Sequence, residues 1–335
     1  MFLRRLTSAL IACAAFLALA VSGRAQPGKP VDSLAGARVA ITIDDIPDHG
    51  ILLPDMSREQ IARGFIRILR DNGIKDAFGF TNGNFMPENA QELAIFKLWL
   101  SAGYPLGNHT YDHLNLDEVG PKAYIANIAA QDQLLATLAA YSPLVKKRRM
   151  FRYPYCNEGN TLAKRNAIRR YLAENGYRIA EVTTDYFDWA WTDAYTRCLK
   201  QHDDKSIAWM KDHVAESADL HLRDSEAESK ALFKRRIPQI LLLHDGSFDV
   251  LTLDIVLKHW RAQGVEFISL EQALADPVYR INPNIADEAR LNFLDRIADA
   301  RGVDVSAFVN TKYSVQDINA VCQERVPKTS EPQLK

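Results

Sequence analysis

Strand-like and helix-like segments alternate along most of this chain, and that alternation constrains the fold more than any other feature. Short apolar runs typical of buried strands occur at residues 38–43, 77–80, 104–108, 150–152, 177–182, 239–243 and 265–270. Patterns typical of amphipathic helices lie between most of them, at 57–72, 90–102, 122–141, 161–175 and 251–263. This order predicts parallel strands joined by crossover helices. Seven strands suit a (β/α) barrel, and an open parallel sheet is the alternative.

The N-terminal segment differs from the rest of the chain. Two arginines precede an uncharged apolar stretch, residues 6–21, which is too short for a comfortable membrane span. Small residues at positions 23 and 25 suit cleavage by a signal peptidase. We therefore expect residues 1–25 to be a signal peptide and the mature protein to be periplasmic or secreted. A lipoprotein cleavage box ending at Cys13 is disfavoured because the apolar run continues past it.

The remaining chain divides by composition. Residues 26–34 are predicted to be a linker, and residues 35–276 a single domain that contains a polar helical insertion at 190–236. Residues 277–326 are predicted to be a helical C-terminal extension, and residues 327–335 a disordered tail. No segment after the signal peptide approaches the length of a membrane helix.

Overall composition excludes some functions. The chain is 47% hydrophobic and 25% charged, as in soluble globular proteins, and its formal net charge of −1 gives no sign of nucleic-acid binding. Three cysteines follow the signal peptide, so at most one disulfide forms within the chain. A Cys198–Cys322 pair, with Cys156 free, is one interpretation; three unpaired thiols are the other. The sequence leaves the oligomeric state open.

Polar side chains follow the ends of five predicted strands. They are Asp44 and Asp45 after the first, His109 and His113 after the third, Arg152 at the fourth, Asp185 and Asp188 after the fifth, and His244 after the sixth. Because the chemistry of parallel α/β proteins gathers at the carboxyl ends of strands, we expect these side chains to share one site.

His109 and His113 are four residues apart. On a helical turn this spacing places both imidazoles on one face, where they can bind one ion. Such a pair is more often structural when it stands alone. With a carboxylate from another strand end, it forms a site that leaves coordination positions open for water and substrate, as in catalytic zinc sites.

The two adjacent aspartates fit that site. In an extended segment, neighbouring side chains point to opposite faces, so one carboxylate can bind the metal while the other acts as general base. On its own, however, the pair is equally consistent with a turn or a helix cap before Pro47.

Five ordered segments carry a family resemblance. "TIDDIP", "HTYDH", "RYPY", "DYFDW" and "LLLHDG" resemble the motifs of the polysaccharide deacetylases of carbohydrate esterase family 4, the NodB-homology domain. The resemblance covers roughly residues 39–270. It implies a distorted (β/α)7 barrel of the NodB-homology type. It also implies a metal-dependent hydrolase that removes N-acetyl, or O-acetyl, groups from a carbohydrate such as chitooligosaccharide or peptidoglycan.

The resemblance assigns a metal and a base. Asp45, His109 and His113 would hold a divalent metal, usually zinc, with cobalt as an alternative. Asp44 would be the general base that activates the metal-bound water. Arg152 would pair with Asp44 and keep it ionised, although an isolated arginine of this kind is more often a structural ion-pair residue.

The resemblance also assigns a general acid and residues that bind the substrate. His244 would protonate the leaving amine, with Asp188 as its partner. A carboxylate partner raises the pKa of an imidazole, which suits this role. The backbone N–H of Tyr155 would help to hold the oxyanion, and Trp189 would wall the acetyl pocket. Both aromatic residues could instead be ordinary core residues.

Three positions depart from the family pattern. Ile46 and Cys156 stand where glycine is usual, and Tyr153 stands where proline is usual. They affect the rim of the site, so they put the substrate in doubt more than the chemistry.

Two rival functions remain. A hydrolase of small cyclic amides on the same fold would not need the complete Asp-His-His set. A non-catalytic carbohydrate-binding relative would need neither Asp44 nor His244.

Overall fold

The computed structural model describes residues 33–323 except 48, 54, 85–89, 144, 146–148 and 287–291. The predicted signal peptide, most of the predicted linker and the predicted tail lie outside the described residues. Within the described ranges, no helix combines the length and the apolar character needed to cross a lipid bilayer.

Parallel strands form the centre of the molecule. The described residues contain β1 (Arg38–Ile46), β2 (Phe78–Thr81), β3 (Leu106–Asn108), β4 (Met150–Phe151), β5 (Arg178–Ile179), β6 (Gln239–His244) and β7 (Glu266–Ile268). Each overlaps one predicted strand. Both β1 and β6 run past their predicted ends, so that Asp44, Asp45 and His244 belong to the strands themselves.

The sheet curls into a barrel. Its strand order is β5-β4-β3-β2-β1-β6, and β7 pairs with the first half of β1. The chain after β5 then crosses to β6, where the N–H groups of Thr183 and Thr184 donate to Ile240 O and the N–H of Leu242 donates to Thr184 O. These bonds join the two ends of the strand order. The predicted distorted (β/α)7 barrel is therefore confirmed, and the open sheet is not.

Helices cover the outside of the barrel. Those between the strands are α1 (Arg58–Asp71), α2 (Ala90–Ser101), α3 (Pro121–Leu138), α4 (Leu162–Glu174), α5 (Asp188–Lys200), α6 (Asp204–Phe233) and α7 (Ser247–Ala262). The first shows why the sequence forms them. Ser57 caps α1 in a capping box with Gln60, and Ile61, Phe65 and Ile68 bury one face against the barrel.

The segment between β5 and β6 is helical throughout most of its length. In α6, thirty residues long, the side chain of Asp203 accepts from the N–H of Ser206 and begins the helix. Buried apolar residues at helical spacing, including Met210, Val214 and Ala218, pack it into the main core. The opposite side of α6 remains polar, and part of it faces the strand ends.

The chain after β7 returns to pack on α6. It contains α8 (Leu270–Leu274), α9 (Phe293–Arg301) and α10 (Val315–Ala320). Phe293 and Ile297 of α9 pack against Leu232 at the end of α6. Cys322 forms a disulfide with Cys198 of α5, while Cys156 is free. The pairing is thus the first of the two alternatives that the sequence left open.

Candidate active site

The carboxyl ends of the strands open into one cavity of about 630 Å³. Of the nine residues to which the family resemblance gives a role, seven line it, namely Asp44, Asp45, His109, His113, Tyr155, Trp189 and His244. The other two, Arg152 and Asp188, are buried behind its wall at 1% and 0% exposure. The predicted shared site is therefore a single space bounded by groups from β1, β6 and the loops after β3, β4 and β5.

Asp45 is the carboxylate that meets both histidines. Its Oδ1 lies 3.4 Å from His109 Nε2 and 3.2 Å from His113 Nε2. The two imidazole rings are 4.9 Å apart, centre to centre. Atoms held about 2.1 Å from a tetrahedral zinc ion lie about 3.4 Å from one another, so this spacing suits one small divalent ion.

The protonation of these groups also fits a cation. His109 Nδ1 lies 2.9 Å from the carbonyl of Arg152 and must donate to it, which leaves the lone pair of Nε2 for a metal. Burial lowers the pKa of His113 to about 4 despite the opposing charge of Asp45, so its imidazole is neutral at pH 7. Asp45 Oδ1 is buried and lacks a hydrogen-bond partner among the described residues. A cation would satisfy that oxygen.

The backbone conformation of these residues differs from the one that their spacing in the sequence predicts. The segment from His109 to His113 is not a helical turn, because Thr110 and His113 have φ angles of 63° and 51°. Asp45, with φ 62°, is not extended either. As a result Asp44 and Asp45 do not face opposite ways: Asp44 Oδ2 also lies only 3.6 Å from His109 Nε2. Left-handed backbone at non-glycine residues is costly, and it concentrates at functional sites.

Asp44 is held by a buried arginine. Arg152 Nη1 donates to Oδ1 and Oδ2 of Asp44 at 3.2 and 3.1 Å. Two further bonds fix the guanidinium, from Nε to the carbonyl of Ala180 and from Nη2 to the hydroxyl of Thr42. Asp44 is 3% exposed. The pair fixes the carboxylate of Asp44 beside the Asp-His-His set, because a buried charge without its partner is strongly unfavourable.

His244 is held by a buried carboxylate. Its Nδ1 lies 2.8 Å from Asp188 Oδ1, and its backbone N–H donates to Oδ2 of the same residue at 2.5 Å. Burial alone would lower the pKa of His244, but the charge of Asp188 and its hydrogen bond outweigh burial and raise the pKa to about 10. The imidazole is therefore a cation at pH 7, with Nε2 available to a group in the cavity.

Part of this sequence is similar to a known protein family. Residues 32–180 match the sequence model of the family described as polysaccharide deacetylase. The match includes Asp44, Asp45, His109, His113 and Arg152. Over these residues the chain is similar to the polysaccharide deacetylase family. A curated relative is a peptidoglycan-N-acetylglucosamine deacetylase from Bacillus cereus, 29% identical over 161 residues that cover 48% of this chain. The chain spans about half the length (49%) of that relative.

Solved structures similar to this chain include two proteins of carbohydrate esterase family 4. One is a family 4 carbohydrate esterase from Streptomyces lividans in complex with acetate, with a TM-score of 0.45, 20% identity and coverage of 71% of this chain and 96% of that one. Another is a family 4 pseudoenzyme from Bacillus anthracis, with a TM-score of 0.44, 15% identity and coverage of 71% and 65%.

Two aromatic residues line the cavity beside the Asp-His-His set. Tyr155 is 47% exposed, and its ring lies 4.5 Å from that of His113. Its φ of 59° places its backbone in the left-handed region. Trp189 is half-buried in the first turn of α5 and lines the cavity. Trp191, two residues later, is fully buried against Phe248.

His49 has a role that the sequence did not reveal. Its Nδ1 lies 2.8 Å from Asp45 Oδ2, so it donates to the oxygen of Asp45 that does not face the two histidines. Its ring also lies 4.4 Å from that of His244. His49 therefore orients the carboxylate that would bind a metal. Its position four residues after Asp45 is the signal that the sequence offers.

A second part of the cavity wall comes from α6 and α9. His221, Asp224 and Glu228 of α6 line it, together with Asp295 of α9. His221 is half-buried, with its ring 5.1 Å from that of Phe187. The spacing of 221, 224 and 228 is that of one helix face. That stripe was visible in the sequence, but nothing local indicated that it would face the strand ends.

Proposed function

We propose that this chain is a metal-dependent hydrolase that removes N-acetyl groups from an amino-sugar polymer or oligomer, with peptidoglycan and chitooligosaccharides as the candidate substrates. One observation carries the proposal. A carboxylate paired with a buried arginine and an imidazole paired with a buried carboxylate line the same cavity as an Asp-His-His set. A carbohydrate-binding protein would need neither of these pairs.

Asp45, His109 and His113 are the residues that would hold the metal, and zinc is the ion that this donor set suits best. When bound, such an ion supplies a Lewis acid that polarises the acetyl carbonyl and makes a nearby water more acidic. Asp44 takes the proton of the attacking water at a carboxylate oxygen, and the ion pair with Arg152 keeps that carboxylate charged and in place until it does.

The leaving nitrogen needs a proton, because the amine is a very poor leaving group as an anion. His244 donates one from Nε2, and Asp188 keeps the imidazole protonated and fixes its orientation. Tyr155 contributes its backbone N–H toward the developing oxyanion, and Trp189 excludes water beside the acetyl methyl group. An O-acetyl ester needs the same base but less help from the acid, so the site can also act on acetylated glycans.

We also propose that the protein is exported. The apolar segment after two arginines at the N-terminus favours a secretory signal. The disulfide between Cys198 and Cys322 agrees with an oxidising compartment such as the periplasm.

The proposal is tested by an acetate-release screen over chitooligosaccharides, peptidoglycan and acetylated xylan. We expect release by the wild type that chelation abolishes and zinc restores. Asp44→Asn should retain the metal, measured by elemental analysis, and lose about 10²–10⁴ in turnover, as is typical when a general base is removed. Asp71→Asn, at an exposed carboxylate on α1, is the matched control. Acetate release that survives thorough metal removal, or an active metal-loaded Asp44→Asn protein, contradicts this mechanism.

A further inference from the structure

The cavity extends beyond the proposed reaction site to a wall of acidic groups. Asp224 and Glu228 of α6 and Asp295 of α9 line that end, and among the described residues that line the cavity there is no lysine or arginine. Asp224 accepts a hydrogen bond from the N–H of Asn310 at 2.7 Å. We call Asp224, Glu228 and Asp295 the acidic wall. It is built by the insertion and the C-terminal extension rather than by the barrel.

Glu228 is the member of the acidic wall that lacks a partner. Its exposure is 5%, yet no hydrogen bond or ion pair to its carboxylate is found among the described residues. Burial, with the negative charges of Asp295 and Asp224, raises its pKa to about 8. A carboxyl group that is nine-tenths buried, lines a cavity and has no cation beside it among the described residues is an uncompensated polar group.

The neighbouring imidazole adds a further acceptor. His221 Nδ1 lies 2.8 Å from the carbonyl of Ser217 and donates to it. Burial lowers the pKa of His221, so the ring is neutral and its Nε2 carries a lone pair. This end of the cavity therefore suits a ligand group that is rich in N–H or O–H donors and carries positive charge.

A chelated metal ion does not fit the acidic wall. The described residues contain two groups of three His or acidic side chains whose ligand atoms all lie within 4.8 Å of one another, and both include Asp45. Neither group contains a member of the acidic wall. An ammonium group on an organic ligand needs only one or two of them.

We propose that Glu228, supported by Asp224, binds the ammonium group of an already deacetylated amino-sugar unit while another unit of the same chain places its acetamido group at Asp45, His109 and His113. This inference rests on the proposed function. The N-acetyl groups that the reaction removes leave primary amines, which are cations at neutral pH, so the acidic wall would bind what earlier turnovers produce. The preferred substrate is then a partially deacetylated oligomer rather than a fully acetylated one.

Binding tests the proposal without turnover. Titration calorimetry of the full-length protein with the glucosamine tetramer, which has no acetyl group to lose, should give an affinity that falls at least about tenfold in Glu228→Gln, as expected for the loss of a charge-assisted hydrogen bond. Asp212→Asn, at an exposed acidic position of the same helix outside the cavity, should bind as the wild type does. Equal binding of this tetramer by the wild type and Glu228→Gln overturns the proposal.

Kinetics supply the second measurement. We expect the kcat/KM of the wild type to be higher for a singly deacetylated chitotetraose than for the fully acetylated one, and this ratio to fall toward one in Glu228→Gln and in Asp224→Asn. A wild-type ratio of one overturns the proposal. If the wild type releases acetate from no substrate, the proposed function fails, whereas loss of the preference alone leaves that function intact.

Folding of the test variant is checked separately. Glu228→Gln keeps the shape of the side chain and cannot ionise, so at and above neutral pH its thermal midpoint should equal or exceed that of the wild type. Asp224→Asn tests the same substrate preference through a second residue.

Discussion

At the scale of single residues, the site depends on pairs in which one member is hidden. Asp44 and His244 line the cavity, whereas Arg152 and Asp188, which hold them, do not. Each hidden residue can therefore act only through its partner. Its contribution should appear as a change in the ionisation of that partner more than as a loss of substrate contact.

The variant Asp188→Asn tests whether Asp188 sets the ionisation of His244, the proposed general acid. The pKa of His244 is about 10 because Asp188 outweighs the effect of burial. The imidazole is protonated below its pKa and loses activity as an acid when the pH rises through that value. Removing the charge of Asp188 lowers the pKa, so the alkaline limb of kcat/KM on an amide substrate should move to lower pH by at least about one unit. An unchanged limb would show that Asp188 does not set the ionisation of His244.

Residue types were more predictable than residue geometry. Carboxylates and imidazoles at strand ends identified groups that meet in one cavity, because parallel strands bring their carboxyl ends together whatever the loops do. The left-handed conformations of Asp45, Thr110 and His113 were not predictable, since none is a glycine and no local pattern marks them. They are imposed by surrounding structure, and they decide that both aspartates converge on His109.

At the scale of secondary-structure elements, the disulfide joins two parts of the chain that are far apart in sequence. Cys198 lies on α5 and Cys322 follows α10, 124 residues later. Arg197 of the same helix donates to the carbonyl of Val321, and Gln201, the C-cap of that helix, donates to the carbonyl of Cys322. The covalent bond and these hydrogen bonds together fix the C-terminal extension against α5.

Removal of that bond should destabilise the fold. We expect the double variant Cys198→Ser/Cys322→Ser to unfold with a free energy about 2–5 kcal/mol lower than the wild type, measured by urea denaturation. Reductant should destabilise the wild type by a similar amount and leave the double variant unchanged. A wild type that is indifferent to reductant would mean that the bond adds nothing to stability.

The order of helices and strands was predictable from the sequence where the hydrophobic periodicity is strong. The capping box at Ser57 and the apolar face of α1 match the observed helix, and the strands that carry the site match in position. The place of α6 was not predictable. Its polar stripe follows helical spacing, but only the packing of its apolar face and of α9 turns that stripe toward the cavity.

At the scale of the whole molecule, one buried acid should shape the pH dependence of stability. The pKa of Glu228 rises from 4.5 in a free side chain to about 8 in the fold. Such a group gives its full contribution below pH 4.5, and that contribution is lost as the pH rises through 8.

Glu228→Gln isolates this effect. Between pH 5 and 9 the free energy of unfolding of the wild type should fall relative to that of the variant, by a few kcal/mol at most. Urea denaturation at several pH values measures the difference, and Asp212→Asn is the control. Parallel curves for the wild type and Glu228→Gln would show that the carboxylate is compensated in solution.

The barrel and the acidic wall come from different stretches of the chain. Groups that would perform hydrolysis project from β1, β6 and the loops between them, whereas the opposite wall comes from α6 and from residues after β7. Chemistry and substrate choice can therefore change independently during evolution. A designer could exchange α6 and α9 to redirect the same hydrolytic centre toward a different glycan, and a natural lineage could do so with few substitutions in its five motifs.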